Sequence, residues 1–254
     1  MRAAIQISGE FRCLHLTAEP FQKYILNDLQ AKGYTEIYIF CHCWKKETTD
    51  LGTFPFEGRG DWHKSIPVFS SKDGLSIFRP CAYMFEELDN VEILRGKSRI
   101  LCMYYSIYIA NKIRQEFELQ NNIQFDIVIR YRTDLLFESP LLEDKPELSS
   151  YLVIPKSTLV ETCDAPFELT DDSHICDYIA YGTPDLMNIY TSVFETWVYL
   201  PETPIGESCL AMHLKLHRIK AIRKPISFYL VEGDGTKRGV VKQSDFTVSE
   251  NSIS

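Results

Sequence analysis

The chain has 254 residues, with 27 Lys and Arg against 35 Asp and Glu, a formal net charge of -8. A hydrophobic fraction of 45% and a charged fraction of 24% belong to a globular protein and exclude global disorder and fibrous repeats. A chain of this length buries about 70–75% of its unfolded surface without disulfide or metal staples, and an acidic chain with no basic block is a poor partner for nucleic acid or an anionic membrane.

In chain order, Ala3–Ser8 reads as a short apolar strand that ends at Gly9. Pro20–Lys32 carries Phe21, Ile25 and Leu29 at i, i+4 and i+8, with Gly33 behind, which predicts a helix and its C-cap. Ile37–Cys41 is the next strand, and strand–helix–strand predicts a parallel pair. Residues 45–97 are rich in Gly, Pro and charge, with scattered aromatics (Phe54, Phe56, Trp62, Phe69, Phe78), and read as a long irregular connection. Ser98 to about Leu119 is the clearest helix, its apolar face formed by Met103, Ile107, Ala110, Ile113 and Phe117, and Asn121-Asn122 ends it. Phe125–Tyr131 is a strong strand; Tyr151–Ile154 and Tyr178–Tyr181 are further apolar segments. Pro184–Trp197 predicts a helix with Pro in its first turn, Gly206–His217 another, and Ile219–Ile222 a short strand. From about Val241 the chain turns polar. The expected organisation is one α/β domain over 1–240 with a mostly parallel sheet flanked by helices, and a flexible tail over 241–254.

No stretch approaches the ~18 apolar residues of a membrane span, and MRAAIQISGEFR lacks the apolar core of a secretory signal. The eight cysteines are scattered, mostly inside apolar runs, and read as reduced thiols of a cytoplasmic protein. Cys41-His42-Cys43 has the look of half a zinc site, but no second C-x-x-C or H-x-x-x-H stands where the other half is needed.

The most informative segment is FDIVIRYRTD over residues 125–134. Alternation turns Ile127, Ile129 and Tyr131 to one side, and Val128, Arg130, Arg132 and Asp134 to the other. Two Arg and an Asp at the exit of an apolar strand are costly unless paired or bound to something. Ligands of open α/β sheets sit outside the carboxyl ends of strands. There a carboxylate can hold a divalent cation and an Arg fork can hold phosphate oxygens. An internal Arg–Asp salt bridge explains the same residues equally well. Ser8-Gly9-Glu10-Phe11-Arg12 leaves the first strand at the same edge; Gly9 permits a positive φ or close backbone approach. An ordinary turn is the plainer reading. His213 and His217 stand at i, i+4 but lack a third metal ligand nearby. Gly233–Arg238 reads equally as a basic lid or a plain hairpin turn. No G-x-G-x-x-G, P-loop or G-x-S-x-G is present, which argues against dinucleotide enzymes, P-loop NTPases and serine hydrolases.

The order SGEFR, IFCHCW, YYSIYIAN, FDIVIRYRTDLLF, DYIAYG and PIGE resembles a family of small glycosyltransferases of GT-A type, active in capsule, lipopolysaccharide and viral glycan synthesis. The resemblance runs over roughly residues 3–230. It implies a GT-A-like (Rossmann-like) α/β domain that moves sugar from a nucleotide-sugar donor to a glycan or glycolipid acceptor. Such enzymes usually carry D-x-D; here Arg132-Thr133-Asp134 matches only the second Asp. By that resemblance Asp134 would touch a divalent cation (Mn²⁺ or Mg²⁺) or the donor ribose. Ser8, Gly9 and Arg12 would face the nucleotide, and Arg130 and Arg132 would hold the diphosphate or Asp134. Tyr105 and Asn111 lie on helix positions that can look into the site, although Tyr105 reads more simply as an aromatic packed on the sheet. In an inverting transferase a carboxylate deprotonates the acceptor. Asp177, at the end of the acidic run Asp171–Asp177, is the first candidate and Glu207 the second. Each has a plainer reading, as a turn residue and as a carboxylate complementing a helix dipole. The competing class is a nucleotide-sugar or glycan binding module without turnover.

Overall fold

The computed structural model describes residues 1–53, 65–142, 151–155, 175–198, 206–224, 226–231 and 237–238. Phe54, Phe56, Trp62, Cys163, the Asp171–His174 run and the 241–254 tail lie outside these residues. The centre is β1 (Arg2–Gly9), whose apolar run is buried on both faces. It pairs in parallel with β2 (Glu36–Trp44) on one side and β6 (Ile127–Tyr131) on the other. A mixed, mostly parallel sheet of seven strands results, in the order β10-β8-β9-β6-β1-β2-β5. Its other members are β5 (Ala82–Glu86), β8 (Leu152–Pro155), β9 (Ile179–Gly182) and β10 (Ala221–Lys224). Only β9 runs antiparallel to its neighbours.

The connection from β1 to β2 is one continuous helical segment rather than the shorter helix predicted from Pro20. It comprises α1 (Leu14–Phe21), a π-helical stretch over Gln22–Leu26 and α2 (Asn27–Ala31). Pro20 lies inside α1, not at its start. Proline has no N–H to give the carbonyl four residues back, and the ladder widens to π spacing just beyond it.

Residues 45–97 are more regular than expected. They hold the hairpin of β3 (Asp50–Thr53) and β4 (Ser65–Val68), then α3 (Ser71–Phe78), β5 and two 3-10 turns. Helix α3 starts at a local cap: Ser70 Oγ accepts from Asp73 N–H at 3.1 Å and donates to Asp73 Oδ2 at 2.7 Å. Then α4 (Arg99–Asn121), capped by Ser98 and closed by Asn122 at φ 50°, follows the prediction closely. Its buried face differs: Ser106, Asn111 and Arg114 are buried, while Met103, Ile113 and Phe117 are half-buried. The sheet under it presents Gln6 and His42, and polar side chains on the helix answer them.

The predicted helix over Pro184–Trp197 is broken at Ser192 into α5 (Pro184–Thr191) and α6 (Val193–Trp197), followed after a gap by α7 (Gly206–Leu216). A second small sheet joins β7 (Leu135–Phe137), β11 (Phe228–Val231) and β12 (Lys237–Arg238). Two apolar clusters cover the main sheet. Ile5, Ile7, Ile129 and Tyr131 pack against the α1–α3 side, and Ala4, Val128, Ile154 and Ala180 against the α4–α7 side. Cys41 and Cys43 fall in the first cluster, while His42 turns to α4, so the strand itself pulls apart the half-site read at Cys41-His42-Cys43. The seven described cysteines form no disulfide with one another. No helix among the described residues is long and apolar enough to cross a membrane.

Candidate active site

The chain leaves β1 towards β2 and β5, while β6 lies on the other flank of β1. The gap between the carboxyl ends of β1 and β6 is therefore the switch point at which open α/β sheets bind ligands. Because β9 is antiparallel, the pairing of Tyr131 with Ile179 brings Asp177 and Tyr178, just before β9, to that same edge. The edge thus joins three segments: Ser8–Arg12, Tyr131–Asp134 and Cys176–Tyr178.

The first two segments are stitched together by Thr133, a residue the sequence reading passed over. Its Oγ1 donates to the Glu10 carbonyl at 2.8 Å and accepts from the Arg12 N–H at 3.0 Å. The Thr17 hydroxyl donates to the Thr133 carbonyl at 2.7 Å, which adds α1 to the clamp. Phe11 anchors the loop from below, stacked on Phe78 at 5.7 Å and edge-on to Phe85 at 6.2 Å. Gly74 of α3 makes room for it: a Cβ there would lie 2.1 Å from the Phe11 ring. Gly9 has φ 101°, and a Cβ there would meet nothing within 4 Å, so its requirement is conformational rather than steric.

Arg132 and Asp134 are joined, as the salt-bridge reading allowed. Arg132 Nη2 donates to Asp134 Oδ2 at 2.8 Å. Arg132 Nε lies 2.7 Å from Oδ1, close enough to pair but not aligned as a hydrogen bond, so Oδ1 keeps no hydrogen-bond partner. Arg12 donates to Glu10 through Nε and Nη2 at 2.9 and 2.6 Å, and its Nη1 stands 3.9 Å from Asp134 Oδ2. Arg132 also lies over the Tyr178 ring at 4.8 Å.

Arg130 is different. It is 1% exposed, yet Nε and Nη1 of its guanidinium have no hydrogen-bond partner among the described residues. Asp177 is 4% exposed and its Oδ1 likewise has no partner among the described residues. Burial, with the Glu207 charge second, pushes the Asp177 carboxyl up to about 7 against the opposing pull of Arg132 and Arg130. Glu207 opens α7, and its carbonyl accepts from the Ile175 N–H at 3.1 Å, which ties that helix to the Asp177 segment. Ser8 Oγ and Gln6 Oε1 complete the set of buried side-chain atoms without a partner among the described residues. All belong to β1, β6 and β9 or their exits. Native interiors leave few such groups, and each calls for an explanation such as a ligand.

Tyr105 stands in an adjoining network rather than among these atoms. Its hydroxyl donates to Glu86 Oε2 at 3.0 Å and its ring stacks on Trp44 at 6.0 Å. The same Glu86 oxygen is 2.8 Å from His42 Nε2, and His42 Nδ1 is 2.7 Å from Ser106 Oγ. Ser106 Oγ accepts from the Gly9 N–H at 2.8 Å, so this buried chain fixes the peptide at the β1 exit. Burial lowers the His42 pKa against the raising effect of Glu86. Asn111 is structural: its Oδ1 accepts from Gln6 Nε2 at 2.7 Å and from Arg114, which also reaches Asn188 and Glu118. His213 has both ring nitrogens engaged, with Thr196 Oγ1 at 2.8 Å and the Ile189 carbonyl at 2.7 Å, so it is not half of a metal pair with His217. Lys237–Arg238 pair antiparallel with Leu230–Val231, as a hairpin does; the residues between lie outside those described.

Among the described residues no three His, Cys, Asp or Glu side chains come together to hold a metal ion. Asp134, expected to bind Mn²⁺ or Mg²⁺, has cations for neighbours. A hard divalent cation needs several oxygen ligands, and this described donor set does not fit one.

No protein-family model matches the chain, and no curated protein matches it. Among solved structures it is similar to the crystal structure of a glycosyltransferase involved in the glycosylation of the major capsid of PBCV-1, with 11% identity and a TM-score of 0.41 over 89% of this chain and 83% of that one. At that score the likeness decides nothing about chemistry.

Proposed function

We propose that the protein is a nucleotide-sugar-dependent glycosyltransferase that acts at the carboxyl edge of β1, β6 and β9. One observation carries this reading: the buried polar atoms left without partners among the described residues, on Gln6, Ser8, Arg130, Asp134 and Asp177, gather at one switch point. A ligand that satisfies them must be polar and rich in both donors and acceptors, as a sugar diphosphate is. The ordered motifs that resemble GT-A glycosyltransferases point to the same substrate class.

In this reading the donor diphosphate lies between the Gly9–Arg12 loop and Asp134, and the acceptor approaches Asp177. Ionised Asp177 takes the proton of the acceptor hydroxyl in an inverting transfer. The acceptor oxygen bonds to the anomeric carbon, the bond from that carbon to the diphosphate oxygen breaks, and the nucleoside diphosphate leaves with the negative charge. Glu207 keeps Asp177 basic by repulsion, and in this reading it also contacts the acceptor. A glycan or glycolipid is the acceptor class, which fits a role in polysaccharide synthesis.

The second reading, a binding module without turnover, is favoured by the Arg132–Asp134 pair, which occupies the carboxylate at the D-x-D position. A thermal-shift panel of UDP-, GDP-, CMP- and dTDP-sugars tests donor binding itself. A ligand at 100 times its Kd adds roughly 2.7 kcal/mol of stability. A shift confined to one nucleotide family supports the reading, and release of the nucleoside diphosphate then separates transferase from binder. No shift with any donor would remove both.

A further inference from the structure

We infer that the negative charge of the donor diphosphate is met by arginine, with Arg130 at its centre, and not by a divalent cation. The inference rests on the donor-binding reading above and adds what neutralises the substrate. The charges at the edge divide unequally. Arg12 is spoken for by Glu10, at 2.6 Å, and Arg132 by Asp134, at 2.7 Å. Among the described residues Arg130 has no such close partner, although Asp177 and Asp134 both lie within its electrostatic reach. The edge therefore holds a guanidinium, buried at 1% exposure, with two N–H-bearing nitrogens that make no hydrogen bond among the described residues.

A buried, unpaired Arg is expensive. A guanidinium presents several N–H groups in a planar fork that matches two phosphate oxygens at once. A cation site would need the reverse arrangement, several carboxylate or carbonyl oxygens converging with no competing positive charge. At the D-x-D position this chain has Arg132 in place of the first Asp, and that Arg binds the remaining Asp. The residue that would have held a cation is thus replaced by a residue that does the cation's electrostatic work. Arg130 lies two residues earlier, on the same side of the strand, opposite Gln6 of β1. Asp134 is held by Arg132 at 2.7 Å and approached by Arg12 at 3.9 Å, two further guanidinium groups at the exit of the strand that carries Arg130.

The test is calorimetric titration of the full chain with UDP, GDP, CDP and dTDP, first in EDTA and then in excess Mn²⁺. The expected result is that one nucleoside diphosphate binds with the same Kd in both. Arg130→Met should then weaken that binding by about tenfold to a hundredfold, the loss of a charge-assisted pair of hydrogen bonds, with Arg130→Lys between. If Arg130→Met does not fold, the wild-type comparison and Arg130→Lys still decide. Binding only with Mn²⁺ would overturn the inference and leave the transferase reading standing. Binding in EDTA that Arg130→Met leaves unchanged would remove Arg130 from the role. Binding under neither condition would overturn both readings.

Discussion

Asp177 ties stability to pH in an unusual direction for a carboxylate. Its folded pKa of about 7 lies above its ordinary value, so the native state holds a proton that the unfolded chain has released. Between about pH 4 and pH 7 this residue's contribution therefore falls as pH rises, and it is flat above. The wild type should lose Tm across that window, and Asp177→Asn should lose less; equal slopes would show that Asp177 is not the group responsible. Activity should run the other way, with kcat/KM rising through about pH 7 as the base ionises. Gly9→Ala should cost about 1–3 kcal/mol in urea unfolding, purely from its φ of 101°, since no neighbour obstructs a methyl there. At this scale the sequence was informative where residues break a pattern. Arg130, Arg132 and Asp134 stand out against an apolar strand, and Asp177 ends an acidic run just before one. Thr133 and Ser106 did not stand out, because a hydroxyl is at home anywhere in a sequence and gains meaning only from partners such as Glu10 or His42, distant along the chain.

Among the elements, the loop after β1 is set by packing from three sides. Thr133 clamps it above, Phe11 roots it in α3 and β5, and Ser106 holds the Gly9 N–H. Thr133→Val leaves the Arg12 N–H and Glu10 carbonyl without that hydroxyl and should cost about 1–3 kcal/mol, read as a lower urea midpoint at constant m-value. Gly74→Ala forces the Phe11 ring to move and should cost about 1–3 kcal/mol by overpacking. Phe11→Leu in the same chain should recover part of that cost, and a double-mutant cycle without coupling would contradict the contact. The elements that were legible, β1, α4 and β6, are long apolar runs or long periodic ones. Those that were not, β3 to β5 and α3, are short, and β5 is exposed or half-buried along its length, with Tyr83 and Met84 53% and 44% exposed. The Ser70–Asp73 cap was the readable signal for α3. Pro20 misled in the opposite sense, because proline at a helix start is common and proline inside a helix is not.

Across the whole molecule, one sheet carries helices on both faces, and the site lies on the rim where three strand ends and two helix layers meet. Two apolar clusters share the strands between them, so neither helix layer has a core without the sheet. Urea unfolding followed by far-UV ellipticity and by tryptophan emission should give one coincident transition; two separated transitions would divide the chain into independent units. The mostly parallel sheet was foreseeable from alternating strands and helices. The antiparallel turn of β9 was not, and it is this reversal that delivers Asp177 to the same rim as Asp134. The site is thus a product of topology as much as of sequence, since its three segments share an edge only after one strand runs backwards.

Transfer of sugar from a nucleotide donor is the proposed reaction at this rim. It is tested most directly by release of nucleoside diphosphate from the donor that binds, in the presence of a glycan acceptor, for wild type and for Asp177→Asn. The wild type should turn over and the variant should lose about 10²–10⁴ in kcat, with donor Kd little changed. Release at the same rate by both proteins would contradict Asp177 as the base, and donor binding with no release by the wild type would make the protein a binding module.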